Sequence, residues 1–310
     1  DLADPAAGHG DRPAASHPTR TGIAGDAGHG GTVVSLYYVV LKEIDAILRW
    51  TRTTNNGGEP IQLEAVSSAS FDLPRQQFDL ITLNGARARE RHLTRYAVRP
   101  GVQQIESRGG ASGHQHAPFV ALVEPDATEE RGRVWATSLL YSGNHRELVE
   151  RDQHGGVRVQ TGINPFGFSV PLEPGASFDA PAAVLVRTDG GLGGTSRLLH
   201  DFVRRALLPP RWRNADRPIV LNSWEAHYFD VTQEKVEALA GAGREIGAEL
   251  LVLDDGWFKG RHDDTRALGD WTPDAEKFSG GLAPVAEAVE RAGLQFGLWV
   301  EPEMVSPDSD

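Results

Sequence analysis

Cysteine is absent from this 310-residue sequence. Without thiols, neither disulfide bonds nor thiolate metal sites can hold the fold, and a reducing compartment fits this composition. The sequence also lacks any run of about 18 apolar residues, and its N-terminal segment has no apolar stretch of the kind a signal peptide needs. We therefore predict a cytoplasmic protein that has no membrane partner.

Basic residues are scarce relative to acidic ones. The sequence has 31 Lys and Arg and 43 Asp and Glu, which gives a formal net charge of −12. Nucleic-acid binding depends on clustered Lys and Arg that neutralise phosphates, so this balance argues against a nucleic-acid partner. An acidic or neutral surface suits a small neutral substrate. With 39% hydrophobic residues, the chain can bury a sizeable core in about two domains.

Methionine occurs once, at Met304. The chain therefore does not begin at an ordinary start residue, and we expect residues to be missing or removed at the front. Residues 1–31 are rich in Gly, Ala, Asp and His without periodicity, so they have too little apolar surface to offset the entropy of ordering. We predict a flexible or incomplete N-terminal arm.

Residues 32–190 contain short β-branched and aromatic runs separated by turn signals such as Asn56-Gly57-Gly58. Many short strands with this punctuation predict a β-sandwich domain. Helical spacing follows, and Pro209 and Pro210 end the helix because proline cannot continue it. We predict a helical linker over residues 191–216.

Three apolar runs alternate with two helical segments after Pro218. The first helix opens at Thr232 and ends at Gly247, and the second spans GLAPVAEAVERAG. This β-α-β-α-β alternation specifies a parallel sheet with right-handed crossovers. Because a closed barrel takes about 250 residues, we predict that residues 217–310 are the N-terminal part of a truncated (β/α)8 barrel. A complete small open sheet is the alternative.

Asp254 and Asp255 directly follow the apolar run LLVL, where a strand is expected to end. Adjacent residues point to opposite sides of an extended strand, but the twist at a strand end lets both carboxylates reach one cleft. Two neighbouring carboxylates can accept hydrogen bonds from vicinal sugar hydroxyls. Turn chemistry is the alternative, since Asp-Asp-Gly is also an ordinary turn sequence.

Trp224, Trp257 and Trp299 each fall at or just after a predicted strand end. An indole packs on the C–H face of a sugar whose hydroxyls need acceptors, so indoles and carboxylates on one rim favour a sugar site. A place in the core is the alternative for each tryptophan. Three glutamates share the rim as acids, bases or salt-bridge partners: Glu225, Glu301 and Glu303.

A metal site is the other interpretation of this region. Oxygen and imidazole ligands suited to divalent ions come from Asp254, Asp255, His262, Asp263 and Asp264. Their spacing matches no metal motif, and a solvated loop from Arg261 to Asp264 is the favoured interpretation. We predict neither a metal nor another cofactor.

The second domain contains NSWEAHYFD (222–230), LLVLDDGWF (250–258), LGDW (268–271) and FGLWVEPEMVSPDSD (296–310). Upstream lie RERHL (89–93), SRGGASGHQHAPF (107–119), LLYSGNHRELVE (139–150) and GINPFGF (162–168). In order and spacing these segments resemble the α-galactosidases of glycoside hydrolase family 36, whose large N-terminal β-domain precedes a catalytic barrel. The resemblance covers nearly everything after about residue 32.

This resemblance implies a retaining hydrolase that removes terminal α-linked galactose from oligosaccharides. Retention needs two carboxyl groups about 5–5.5 Å apart, a nucleophile and a general acid/base. In this family both lie on later barrel strands, so no catalytic residue is expected within residues 1–310, and the fragment alone is predicted to be inactive. Asp254 and Asp255 would hold galactose hydroxyls, Trp299 would line the galactose pocket, and Trp224 would lie near its mouth.

The sequence departs from the family pattern at Val170, where an aromatic residue commonly reaches a neighbouring subunit's site. The departure weakens the expectation of a shared pocket, and a homo-oligomer of the full-length protein stays open. Two other functions remain: galactosyl transfer by a raffinose-synthase-like enzyme, and non-catalytic sugar binding by the fragment. Product analysis with sucrose as acceptor distinguishes galactosyl transfer from hydrolysis. Calorimetry with galactose tests whether the fragment binds the sugar.

Overall fold

The computed structural model of the chain describes residues 25–26 and 31–309. The described residues form two compact units, unit 1 and unit 2, which divide between Arg213 and Asn214. The predicted N-terminal arm lies outside the described residues, apart from 25–26 and 31. Within the described ranges, no helix has both the length and the apolar character needed to cross a membrane.

Unit 1 is built mainly from antiparallel strands. In chain order the described strands are β1 (Gly25–Asp26), β2 (Thr32–Leu41), β3 (Ala46–Asn55), β4 (Ile61–Leu63), β5 (Ser67–Leu73), β6 (Asp79–Ala86), β7 (Arg89–Ala97), β8 (Gly101–Glu106), β9 (His116–Val123), β10 (Val134–Leu139), β11 (His145–Arg151), β12 (Val157–Ile163), β13 (Val170–Leu172), β14 (Ser177–Asp179) and β15 (Ala183–Thr188).

These strands form a large and a small sheet. Among the described residues the large sheet has nine strands, ordered β1-β2-β3-β15-β10-β9-β6-β7 with β14 on β3, and the small sheet is β5-β12-β11-β8. A separate ladder pairs β13 with β4. The late strand β15 lies between β3 and β10, so neighbours in the sheet are distant in sequence.

The two sheets share an apolar core. Leu80 and Val120 of the large sheet and Val149 and Val157 of the small sheet belong to one buried cluster, together with Phe78. Each of these side chains is at most 2% exposed. Alternate residues of each strand point to one face, so inward-facing apolar residues from both sheets meet and are removed from water.

A helix covers the other face of the large sheet. Helix α1 (Gly191–Phe202) places Phe202 in a second cluster with Ala121, Ala136 and Val184 of three large-sheet strands. One π-helical turn, Val203–Leu207, follows α1 before the two prolines. The segment predicted as a helical linker therefore contains a helix that packs on the β-domain.

The interior between the sheets also contains a polar group at the start of β11. His145 and Glu147 are 0% exposed at their side chains and lie 2.6 Å apart, from Nδ1 to Oε2. His145 Nε2 lies 3.1 Å from the carbonyl oxygen of His116 on the large sheet, and Thr161 Oγ1 donates to Glu147 Oε1 at 3.1 Å. Both ring nitrogens of His145 thus face acceptors.

Burial alone would lower the pKa of His145, but the hydrogen bond and charge of Glu147, with two backbone carbonyls, raise it overall. Burial raises the pKa of Glu147, although His145 opposes that rise. Both shifts favour retention of a proton by the pair. His145 joins the small sheet to the large sheet by a hydrogen bond to the His116 carbonyl oxygen, and this bond needs a proton on Nε2.

Unit 2 alternates parallel strands with helices. Its described elements are β16 (Val220–Asn222), α2 (Trp224–His227), α3 (Gln233–Glu245), β17 (Leu250–Leu253), α4 (Ala283–Arg291) and β18 (Gln295–Leu298). The strands pair in parallel in the order β16-β17-β18. Thr232 caps α3 by accepting from the Lys235 N–H at 3.4 Å.

The core of unit 2 lies between its sheet and its helices. Val236 of α3 and Val285 of α4 are fully buried beside Leu251 and Leu253 of β17. The β-rich first domain and the β/α alternation of the second therefore agree with the sequence prediction. That unit 2 belongs to an eight-stranded barrel stays a prediction.

Candidate substrate-binding site

The carboxyl ends of the three parallel strands bring the predicted site residues to one edge of the sheet of unit 2. In register, Asn222 lies beside Val252 and Leu253 beside Leu298. Trp224 therefore follows β16, Asp254 follows β17 and Trp299 follows β18 at neighbouring positions. We call this edge the rim.

Asp254 is a half-buried carboxylate on the rim. Its Oδ2 accepts a hydrogen bond from Asn222 Nδ2 at 2.6 Å, and its Oδ1 accepts from the backbone N–H of Asp255 at 2.7 Å. The Asp254 N–H donates to Ser223 Oγ at 2.9 Å. Asp254 is thus held by the end of β16 and by the backbone of Asp255, while its side chain stays partly accessible, with lone pairs available to a ligand.

Asp255 has different surroundings. It is 6% exposed and forms a bidentate ion pair with Arg261, in which Nε donates to Oδ1 at 2.9 Å and Nη2 to Oδ2 at 2.8 Å. The Gly256 N–H also donates to Oδ1, at 2.7 Å. That Asp255 binds substrate stays a prediction, and direct contact would have to use lone pairs that these bonds leave free.

Arg261 is buried, although the sequence favoured a solvated loop from Arg261 to Asp264. Its side chain is 4% exposed, and its guanidinium lies 5.4 Å from the ring centroid of Phe229 and 5.8 Å from that of Phe258. The hydrogen bonds to Asp255 raise the pKa of Arg261. The prediction was wrong for Arg261 because this cation neutralises a buried carboxylate, and correct for the exposed residues 262–264.

The tryptophans divide between core and rim. Trp257 is 2% exposed and donates from its indole nitrogen to the Trp299 carbonyl oxygen at 2.9 Å, so it belongs to the core. Trp299 is half-buried, 6.2 Å from the Trp271 ring in an edge-to-face contact. Trp224 is half-buried too, with the Phe229 ring 5.0 Å away, edge to face. The indoles of Trp224 and Trp299 thus remain partly accessible, after the two strands that flank the strand of Asp254.

Glu301 adds a second half-buried acid on the rim. Burial raises the pKa of Glu301, the charges of Glu303 and Asp255 raise it further, and Arg261 opposes the rise. Glu225 is exposed and accepts from the Tyr228 hydroxyl at 3.0 Å. The surroundings of Glu301 therefore favour its protonated form.

Sequence reasoning missed several rim residues. Asn222 and Ser223 hold Asp254, Trp271 packs on Trp299, and Lys277 donates to backbone carbonyls of two rim loops. Of these, Asn222, Ser223 and Trp271 lie within the quoted motifs, so their positions were available as a signal. Lys277 carried no signal, because a lone lysine before a helix is ordinarily a surface residue.

No group of three or more His, Asp or Glu side chains in the described part of the chain is arranged to hold a metal ion. His262 Nε2 lies 3.8 Å from the carboxylate oxygen Oδ2 of Asp274, a residue outside the set of the metal interpretation. The five residues of the metal interpretation are therefore not gathered into one cluster.

Two family models match the chain. The model of the glycosyl hydrolase family 36 N-terminal domain matches residues 18–173, and the model named Melibiase matches residues 177–310. These matches place the chain among the glycoside hydrolases. Within that class, the chain belongs to glycosyl hydrolase family 36.

Curated relatives support the same family. Alpha-galactosidase AgaA of Geobacillus stearothermophilus is 47% identical over 280 residues, and alpha-galactosidase Mel36A of Lactobacillus acidophilus is 39% identical over 275. These alignments cover 90% and 89% of this chain but only 38% of each relative, so the chain spans well under half of their length.

Two solved structures illustrate the similarity of fold. A variant of AgaA in complex with raffinose matches with a TM-score of 0.83 at 47% identity, covering 90% of this chain and 39% of that one. The alpha-galactosidase from Lactobacillus brevis matches with a TM-score of 0.84 at 42% identity, covering 91% of this chain and 38% of that one.

Proposed function

We propose that this chain is the N-terminal part of a retaining α-galactosidase that hydrolyses terminal α-linked galactose in oligosaccharides. The observation that carries the proposal is a partly accessible Asp254 carboxylate between two half-buried indoles on neighbouring strand ends. Membership of family 36 supports it, as do the complexes of AgaA variants with raffinose and stachyose.

In this proposal the rim binds galactose. Asp254 accepts hydrogen bonds from sugar hydroxyls, Trp299 packs on the C–H face of the ring, and Trp224 lies near the mouth of the pocket. Asp255 supports the same site through Arg261, with direct hydroxyl contact as the further prediction. A carboxylate acceptor beside an indole suits a ring that is polar at its edges and apolar on one face.

The nucleophile and the general acid/base are proposed to lie outside residues 1–310. A retaining mechanism needs two carboxyl groups on opposite sides of the scissile bond, about 5–5.5 Å apart. Asp254 and Asp255 are adjacent on one strand end, and Asp255 is neutralised by Arg261. They suit binding of the sugar better than bond cleavage.

We also propose that unit 2 is the first part of a (β/α)8 barrel. Within the described residues, β16 and β18 each pair on one side only, with β17. Val220 of β16 is 54% exposed and Leu298 of β18 is 39% exposed. Unpaired edges with exposed apolar residues favour pairing with further strands.

The test measures hydrolysis of p-nitrophenyl α-galactoside by protein made from the complete reading frame, with the p-nitrophenyl α-glucoside as control. We expect α-galactoside turnover with retention of configuration, and no turnover by the 310-residue chain alone. Preference for the glucoside would contradict the sugar assignment, and turnover by the short chain would contradict the placement of the catalytic pair. Product analysis with sucrose present distinguishes hydrolysis from galactosyl transfer.

A further inference from the structure

Lys277 lies between β17 and α4, and its side chain reaches two loops of the rim. Its ammonium Nζ donates to the carbonyl oxygens of Phe229 at 2.8 Å, Gly256 at 2.7 Å and Arg261 at 3.2 Å. Phe229 belongs to the loop after β16, and the other two belong to the loop after β17. An ammonium has three donors, so all three are used on backbone groups of these loops.

The surroundings of Lys277 differ from those of a surface lysine. Its side chain is half-buried, and burial lowers its pKa while the charges of Asp274, Asp230 and Asp255 oppose that effect. No carboxylate of the described residues lies within ion-pair distance of it. By contrast, Lys235 pairs with the Asp230 carboxylate at 2.6 Å. Lys277 is thus a cation enclosed by carbonyl oxygens.

The two rim loops approach each other closely where Lys277 binds. Gly256 has φ +88, and a Cβ added there would lie 2.8 Å from Phe229 Cα and 3.1 Å from Phe229 O. The backbones therefore touch at a position where only glycine fits. Two carbonyl oxygens directed at one point repel each other unless a cation lies between them, and Lys277 supplies that cation.

The atoms held by Lys277 are next to the proposed sugar ligands. The Phe229 ring contacts Trp224 at a centroid distance of 5.0 Å, and Gly256 directly follows Asp254 and Asp255. Arg261, whose carbonyl Lys277 binds, is the partner of Asp255. A displacement of either loop would move Trp224 relative to Asp254.

We propose that Lys277 is a positioning residue of the substrate site, and that its ammonium sets the distance between the Trp224 and Asp254 sides of the rim. The role in substrate binding rests on the proposed function, whereas the role in joining the two loops does not. Two experiments separate these claims.

The first experiment measures amide hydrogen exchange in the 310-residue chain with Lys277→Met, and uses Lys259→Met as the control for loss of one charge. Lys259 is exposed and lies in the same region. We expect exchange at least tenfold faster in residues 223–231 and 254–262 together for Lys277→Met, without change in unit 1. Faster exchange in one loop alone, or equal exchange in both variants, overturns the inference.

A chemical rescue keeps the test decisive if Lys277→Met does not fold. The chain contains no cysteine, so Lys277→Cys introduces the single thiol. Alkylation of the unfolded variant with 2-bromoethylamine attaches an ammonium at the length of lysine, and iodoacetamide attaches a neutral amide. We expect refolding and loop protection with the ammonium only. Equal behaviour of the two adducts contradicts the role of the charge.

The second experiment uses protein from the complete reading frame. Because misplaced binding groups weaken the ground and transition states alike, Lys277→Met is expected to raise KM for the α-galactoside at least tenfold while kcat changes less than threefold. Lys277→Arg restores part of the loss. An unchanged KM in an active enzyme overturns the inference. A wild-type protein inactive on galactosides instead refutes the proposed function, and the exchange experiment then decides the role of Lys277.

Discussion

Replacement of Arg261 by methionine is the perturbation with the clearest energetic consequence. The Asp255 and Arg261 side chains are only 9% and 4% exposed, and two hydrogen bonds of 2.8 and 2.9 Å join them. Arg261→Met keeps much of the apolar contact but leaves a buried carboxylate without its cation. Loss of one partner of a buried ion pair costs about 3–5 kcal/mol of unfolding free energy.

Urea unfolding, followed by tryptophan fluorescence, measures this loss, because Trp257 is buried in the core of unit 2. The matched control is Arg266→Met, which breaks an ion pair in the same unit, with Asp308, whose side chains are 60% and 50% exposed. We expect Arg261→Met to lower the urea midpoint strongly and the control variant to leave it nearly unchanged, since exposed ion pairs contribute little to the free energy of unfolding.

A double variant separates the cost of the unpaired charge from the value of the pair. Asp255→Asn with Arg261→Met removes both charges, so it is expected to be more stable than Arg261→Met alone. A loss below about 1 kcal/mol for Arg261→Met, or no recovery in the double variant, would refute the burial argument.

Two other predictions concern the glycine of the loop approach and the buried pair of unit 1. Gly256→Ala is expected to cost about 1–3 kcal/mol more than Gly247→Ala, because both have positive φ but only Gly256 has Phe229 within 3 Å of an added Cβ; equal urea midpoints contradict this. The raised pKa values of His145 and Glu147 mean that the folded state binds more protons than the unfolded state, so their contribution is full at low pH and is lost as pH rises through the folded values. Unfolding free energies between about pH 5 and 8 should therefore fall more steeply for wild type than for His145→Gln/Glu147→Gln, and equal slopes would show that the pair does not titrate in this way.

Local patterns predicted the elements of unit 2 because each carries its own signal. Thr232 and Gly247 flank α3 as expected. The acids and indoles follow the three strands, and each strand was predicted from its apolar run. The order of strands in unit 1 could not be predicted in this way. Whether β15 lies beside β3 depends on packing between distant segments, and alternation along one strand carries no information about its neighbours.

The chemical roles of rim residues were less predictable than their positions. Trp224, Trp257 and Trp299 have similar sequence contexts, yet Trp257 is in the core, since burial depends on which direction each loop takes. Arg261 and Lys277 resemble surface residues in sequence. Their burial follows from the Asp255 carboxylate and from the close approach of two loops, both of which are tertiary features.

A crystal structure of the protein from the complete reading frame with galactose bound tests the central claim most directly. The account predicts a sugar hydroxyl within about 2.6–3.2 Å of the Asp254 carboxylate, with the Trp299 indole against the sugar ring. Galactose bound elsewhere, with Asp254 in contact with neither the sugar nor a bridging water, would contradict it.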